Sequence, residues 1–429
     1  MLWLVVLLAV YLVIVFVPGK IFSKQKDRLG NKGFFIALWV LLAGSLVLRI
    51  CLVKWFPNAY QVDENCFFAW AWQVKEYGIP AFYNTTSFCD YPPGYLYILY
   101  PIGSLIHAFS LSIEQFATKL LLRFPAILFD LAGVCLLACA ARRRLGNTKA
   151  VWLGVLYSLC PMVLLNSCVW GQIDSVWTFF LLGAFLLGTR KKIVPSALLL
   201  SLSVLVKPQA LLFMPVFVLL YFGSKEECVK NYAKALGVGA GMFVLASVPF
   251  CGLDFGLAAS KYFGTMTGGY PYATINAFNL YALLGANWAP IGNRFLFATY
   301  QFWGYVMMAG AVAAGVYAYF KKGKNIYYSA AVLMIFMFLF ATMMHERYLY
   351  PTVLLLFFAY IESGDREFVG SSAMIGVLNF CNVLLVLLAF YQNTVAQGVP
   401  VFLLSALTLA AGLYVMTLNP AKNLGEGKE

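Results

Sequence analysis

Apolar runs of roughly 20 residues recur from one end of this chain to the other, and that recurrence restricts its fold more than anything else in the sequence. Within a bilayer every backbone N–H and C=O must be satisfied inside its own segment, so such runs become helices. Of the 429 residues 62% are apolar and only 11% charged, against about 25% charged in a soluble domain. No polar stretch is long enough to bury a core of its own. The expected fold is an all-α polytopic membrane protein, a single integral-membrane domain over residues 1–429 with about 13 transmembrane helices.

Charge sets the expected orientation. The net charge of +13 would suit nucleic acid, but the Lys and Arg residues sit in short segments between apolar runs, as the positive-inside rule places them. Nucleic acid is therefore not an expected partner. Met1–Val17 is apolar with positive charge after it, not before it, which argues for an uncleaved span rather than a cleaved signal. Residues 18–33, with Lys20, Lys24, Lys26, Arg28 and Lys32, are then cytoplasmic, as are Arg142-Arg143-Arg144, Arg190-Lys191-Lys192 and Lys321-Lys322-Gly323-Lys324. Residues 54–122 form a long first extracytoplasmic loop, 252–295 a second, and 362–429 the last spans and tail. Tyr95–Leu111 is apolar enough to span, but its Tyr content, Pro101 and Gly103 suit a helix lying in the outer interface.

On this topology the polar residues gather at one face. Asp63, Glu64, Asp90, Asp174, Lys207, His345, Glu346 and Arg347 all fall at the outer ends of spans, where ionisable groups mark sites and pathways. Each has a plain alternative. Asp63-Glu64 opens an amphipathic stretch with Phe67, Trp70, Ala71 and Val74 on one face; an acid there suits a helix start or a general base. Asp90-Tyr91-Pro92-Pro93-Gly94 is a rigid turn, because Pro locks φ and restricts the residue before it. In Trp170-Gly171-Gln172-Ile173-Asp174-Ser175, Asp174 suits a helix cap. Lys207-Pro208-Gln209 offers a snorkelling Lys or a phosphate ligand. In His345-Glu346-Arg347-Tyr348 the Glu–Arg pair either neutralises itself or leaves Arg347 to bind phosphate.

The ten Cys residues are scattered, without zinc spacing, and only two His are present; no metal site is expected. Cys66 and Cys89 share the first outer loop and are the pair a disulfide would join in an oxidising compartment. Asn84-Thr85-Thr86 is a glycosylation sequon that counts only in a eukaryote. Gly237, Gly239 and Gly241 lie in an apolar run and read as helix packing.

In order and in side, the early acid, DYPP, WGQIDS, KPQ and HERY resemble the GT-C superfamily of membrane glycosyltransferases, over roughly residues 34–361. The likeness is greatest to the mannosyltransferases of GPI-anchor assembly and their bacterial homologues. It implies a GT-C-like helical bundle, a polyprenyl- or dolichyl-phosphate sugar as donor, and inverting transfer of a hexose, mannose first, to a glycolipid or glycan hydroxyl. By the same resemblance Asp63, or its neighbour Glu64, is the base and Asp90 supports it. His345, Arg347 and Lys207 bind the donor phosphate, while Tyr91, Gln172, Asp174 and Glu346 line the substrate site. No cofactor is implied. The bacterial plasma membrane is the expected location, or the endoplasmic reticulum in a eukaryote, with the site extracytoplasmic. The competing functions are a glycolipid transporter or flippase, and a polymerase or ligase of surface polysaccharide. A transporter would place charge near the midplane and show internal repeats, and neither is evident.

Overall fold

A computed structural model describes residues 2–21, 27, 29–223, 225–267 and 269–420. Lys24, Lys26, Arg28 and residues 421–429 of the expected tail lie outside the described residues. The chain is almost wholly helical and divides into two compact units: one of residues 1–49, 130–166 and 271–429, the other of 50–129 and 167–270.

Among the described residues six helices are long and apolar enough to cross a membrane: Asn31–Trp55, Phe116–Leu145, Glu227–Cys251, Tyr300–Lys321, Glu367–Tyr391 and Val399–Thr417. The bent pair Asn147–Ser158 and Pro161–Trp170 makes a seventh if it counts as one span. The break falls at Cys160-Pro161, where proline has no N–H to give and its ring disfavours a helical residue before it. Beyond it the chain winds as a π-helix over Leu165–Trp170. The first helix runs Leu2–Ile21, and the other expected spans, among them Asp174–Gly188, Ile193–Val206, Ile326–Phe340 and Tyr350–Ser363, are apolar helices of 10–17 residues. At about 1.5 Å per residue these fall short of the hydrocarbon thickness of about 30 Å. Hydropathy marked all of these segments alike; their lengths separate them into two classes.

Several of the long helices are apolar yet little covered. Only 28% of the apolar window of Asn31–Trp55 is buried and 22% of that of Glu227–Cys251, and Trp39 and Leu245 stand out from them. A solvated protein does not leave such belts open to water; lipid is the medium that suits them. This is a membrane protein.

In the unit of 1–49, 130–166 and 271–429, helices Ile326–Phe340 and Tyr350–Ser363 are buried on nearly every side and form the core, as helices apolar all round must be. Helix Tyr300–Lys321 packs closely on the first of them: a Cβ on Gly315 would sit 3.0 Å from Leu333 Cβ. At the centre lies an ionic group that hydropathy did not single out. Arg49 and Asp130 are fully buried and paired, Nε to Oδ2 at 3.3 Å. Tyr350 donates to Asp130 Oδ1 at 2.6 Å, and Arg49 donates to Ser158 O and Ser45 Oγ. Buried charges of this kind persist when paired and hydrogen-bonded.

The other unit is built on the helix Gln61–Glu76, which buries Glu64, Phe67, Trp70, Ala71 and Val74. The expected apolar face is the buried face. It packs on Pro93–Ala108, a 16-residue helix with Pro101 inside it. The two backbones touch at Gly103, where a Cβ would lie 1.9 Å from Ala71 O, and Gly94 lies against the backbone of Leu205, where a Cβ would be 2.1 Å from Leu205 O. Gly103→Ala must push these helices apart, and overpacking of this kind costs about 1–3 kcal/mol. Thermal unfolding of the purified protein should show the loss; an unchanged midpoint would refute the contact. Helices Asp174–Gly188 and Ile193–Val206 form an antiparallel pair tied by Ser203 Oγ to Trp177 O and Ser196 Oγ to Ala184 O, at 2.7 Å each. Within the stretch expected to be a second loop stands a further helix, Phe255–Thr267.

Candidate functional site

Within the unit of 50–129 and 167–270, the two adjacent acids Asp63 and Glu64 lie in the first turn of Gln61–Glu76, whose N-cap is Tyr60. Consecutive helical residues point about 100° apart, so the pair divides. Glu64 turns inward and is 3% exposed. Its carboxylate takes Lys119 Nζ at 2.8 Å on one oxygen and Arg123, Nε at 3.1 Å and Nη2 at 3.0 Å, on the other. Arg123 spends its other donors on backbone: Nη1 on Phe56 O and Cys168 O, and Nη2 on Pro57 O, all at 2.9 Å. One guanidinium thus joins the approach to the acid-bearing helix to the π-helix that ends at Trp170. Neither Lys119 nor Arg123 was anticipated. The usable signal was two cations four residues apart on an apolar run, Lys119 and Arg123, where charge calls for a buried partner.

Asp63 is half-buried and faces the other way. Its Oδ2 accepts from Trp170 Nε1 at 2.8 Å and from Gln172 Nε2; among the described residues Oδ1 accepts nothing. The ring of Trp170 is stacked on Tyr60 with centroids 4.1 Å apart. Gln172, 1% exposed, accepts on Oε1 from Tyr91 OH at 3.4 Å. Tyr91 packs in turn against Phe67, Trp70 and Tyr95. Asp63, Tyr91 and Gln172, expected together, are together. Asp63 does sit at the helix start, but it is not the N-cap, and its carboxylate is fixed on one oxygen from the side.

Asp90 lies near this group. Cys66, half-buried on Gln61–Glu76, has its thiol pKa raised by burial first and then by the carboxylates of both Asp63 and Asp90. Tyr270 OH donates to Asp90 Oδ2 at 3.5 Å. Cys66 and Cys89 are both free thiols, and burial chiefly pushes Cys89 up to about 12.

Asp174 and Lys207 form a separate buried pair at 2.6 Å, with Trp177 Nε1 donating to the same Asp174 oxygen at 2.9 Å. Asp174 opens its helix, but its carboxylate goes to Lys207, so neither the cap nor the snorkelling alternative describes it. The pair carries no net charge and pins the break between Ile193–Val206 and the 3-10 turn Pro208–Phe213.

His345, Glu346 and Arg347 belong to the unit of 1–49, 130–166 and 271–429. The helix Ile326–Phe340 ends early and the chain from Ala341 runs beside the loop after Pro271: Ile275 N donates to Met344 O at 2.9 Å and Met343 N to Tyr272 O at 3.2 Å. That loop is itself braced by Asn276, whose backbone adopts φ +57° and whose Oδ1 accepts from Trp288 Nε1 and Asn287 Nδ2. Arg347 Nη1 pairs with Glu346 Oε1 at 2.5 Å, the self-neutralising arrangement, with Glu346 3% exposed. The His345 ring leans on Tyr348, centroids 5.2 Å apart.

The family model described as glycosyltransferase family 87 matches residues 88–343, more than half of the chain. The matched region holds Asp90, Tyr91, Gln172, Asp174 and Lys207, begins after Asp63 and ends just before His345. No curated protein matches the chain.

Proposed function

The chain belongs to glycosyltransferase family 87, and from that premise we propose that it transfers a hexose, mannose first, from a polyprenyl- or dolichyl-phosphate sugar to a hydroxyl of a glycolipid or glycan. The membrane proposed is the bacterial plasma membrane, or the endoplasmic reticulum in a eukaryote, and the face extracytoplasmic. One observation carries this reading: Asp63 has one oxygen clamped by Trp170 and Gln172 and the other open on a half-buried side chain.

A carboxylate so held suits a general base. The acceptor hydroxyl gives its proton to Asp63 Oδ1 while its oxygen bonds to the anomeric carbon. The bond from that carbon to the phosphate oxygen breaks on the opposite face, polyprenyl phosphate leaves with the electron pair, and the configuration inverts. The clamp on Oδ2 orients the carboxylate in advance, which is where positioning contributes to rate. Glu64 is already committed to two cations, so Asp63 is the better base of the two. We assign His345 and Arg347 to the leaving phosphate as N–H donors to its developing negative charge, Arg347 acting while paired with Glu346. Lys207 is neutralised by Asp174 and serves that phosphate only by holding its own turn in place.

Mass spectrometry of lipid-linked sugars from cells with and without the gene tests the reading. Loss of the gene should deplete one glycolipid by a single hexose and accumulate its precursor. An unchanged glycolipid profile, with no sugar released from polyprenyl-phospho-mannose by the purified protein, would reject it.

A further inference from the structure

A cavity of about 370 Å³ opens between the Phe88–Asp90 segment and the helix Phe255–Thr267, within one unit. Asp90, Ser260, Lys261, Phe88 and Tyr270 line it, and Gly264 and Gly269 add no side chain to its wall. We propose that it is the subsite for an uncharged sugar ring of the acceptor, and that Lys261 and Tyr270 set its specificity. The inference rests on the glycosyltransferase reading and goes beyond it in naming what the acceptor presents.

The chemistry of the lining selects the ligand class. One carboxylate and one ammonium face the same space, so the cavity has no net charge with which to hold a lone anion or cation. The Cys89 thiol, pushed up to about 12, adds no charge at neutral pH. A polyol meets this lining well: the Asp90 carboxylate accepts from sugar hydroxyls, Lys261 donates to sugar oxygens, and Ser260, whose hydroxyl donates to Leu257 O at 2.7 Å, accepts from a sugar hydroxyl. Phe88 is 54% exposed and, with Tyr270, offers an aromatic face to the C–H side of a ring. Lys261 is held only lightly, by Cys89 O at 3.4 Å and above the Tyr83 ring at 4.7 Å; the first is longer than an ordinary N–H···O bond. Its donors therefore have more to gain from a ligand than from their present partners. The size also fits, since ligand clefts begin at about 300 Å³. Finally, Tyr91, the residue after Asp90, donates to the same Gln172 that holds Asp63, so a ring seated against Asp90 lies near the base.

Saturation-transfer NMR on the full chain in lipid nanodiscs tests this with methyl α-mannopyranoside and methyl β-glucopyranoside as probes. The wild type should transfer saturation to the ring protons of at least one glycoside. Lys261→Met and Tyr270→Ala should each reduce it at least fivefold, and Asp63→Asn should retain it. Absence of signal with both glycosides, equal signal in the two cavity variants, or displacement of the glycoside by an equal concentration of inorganic phosphate would overturn the proposal. Binding is read here without turnover. A protein that binds glycosides in this way yet never consumes polyprenyl-phospho-mannose would retain the subsite and lose the enzymatic reading.

Discussion

Asp63→Asn is expected to reduce sugar transfer by about 10²–10⁴-fold, the range that a positioned general base contributes. The substitution nearly preserves shape. An asparagine can turn its carbonyl oxygen to Trp170 Nε1 and Gln172 Nε2, the two donors that Asp63 Oδ2 now receives. Its amide then points where the open oxygen was, and an amide cannot take a proton. The loss should therefore fall on kcat, with donor binding and the thermal midpoint little changed. Turnover of polyprenyl-phospho-mannose by the purified variant, beside an unfolding curve, makes the check. Activity within tenfold of wild type would remove Asp63 from the base role. Gln172→Leu should act in the same direction but more weakly, since Trp170 would still hold one side of the carboxylate.

Glu64→Leu is expected to do the reverse and damage the fold first. Lys119 and Arg123 are each 1% exposed and meet at this one carboxylate. Without it two like charges face each other away from water. Removing one partner of a buried pair costs about 3–5 kcal/mol, because the stranded charge keeps its desolvation penalty. Combining Glu64→Leu with Lys119→Met should recover part of the loss, since Arg123 would keep its three carbonyl partners, Phe56, Pro57 and Cys168. The milder Glu64→Gln separates the two acids functionally. If Glu64 only braces the helix, this variant unfolds at lower temperature but turns over normally per folded molecule. If Glu64 is the base, turnover disappears while stability stays. Denaturation and active-site-normalised rates on the same preparation decide between them.

How far the site could be read in advance differs from residue to residue. Phe67, Trp70, Ala71 and Val74 announced the buried face of their helix, since a period of 3.6 is local information. Asp63, Tyr91 and Gln172 were legible as polar groups stranded among apolar runs, though not as mutual partners. Lys119, Arg123 and Lys261 were not singled out. The first two resembled ordinary span-end cations, and the third sat on a helix taken for loop. Arg49 and Asp130 were passed over because each alone barely lowers the hydropathy of a 25- or 30-residue helix.

The order of apolar segments, their helical state and their need for lipid were determined by the chain alone, because hydrogen-bond satisfaction in hydrocarbon leaves a helix as the one local solution. Which of two neighbouring acids is braced and which is open was decided only by tertiary structure. Asp63 and Glu64 differ by one CH₂ and share a turn, so nothing local separates them. What separates them is a 100° rotation about a helix, with Trp170 and Gln172 on one side and Lys119 and Arg123 on the other, partners brought in from 55 to 109 residues away.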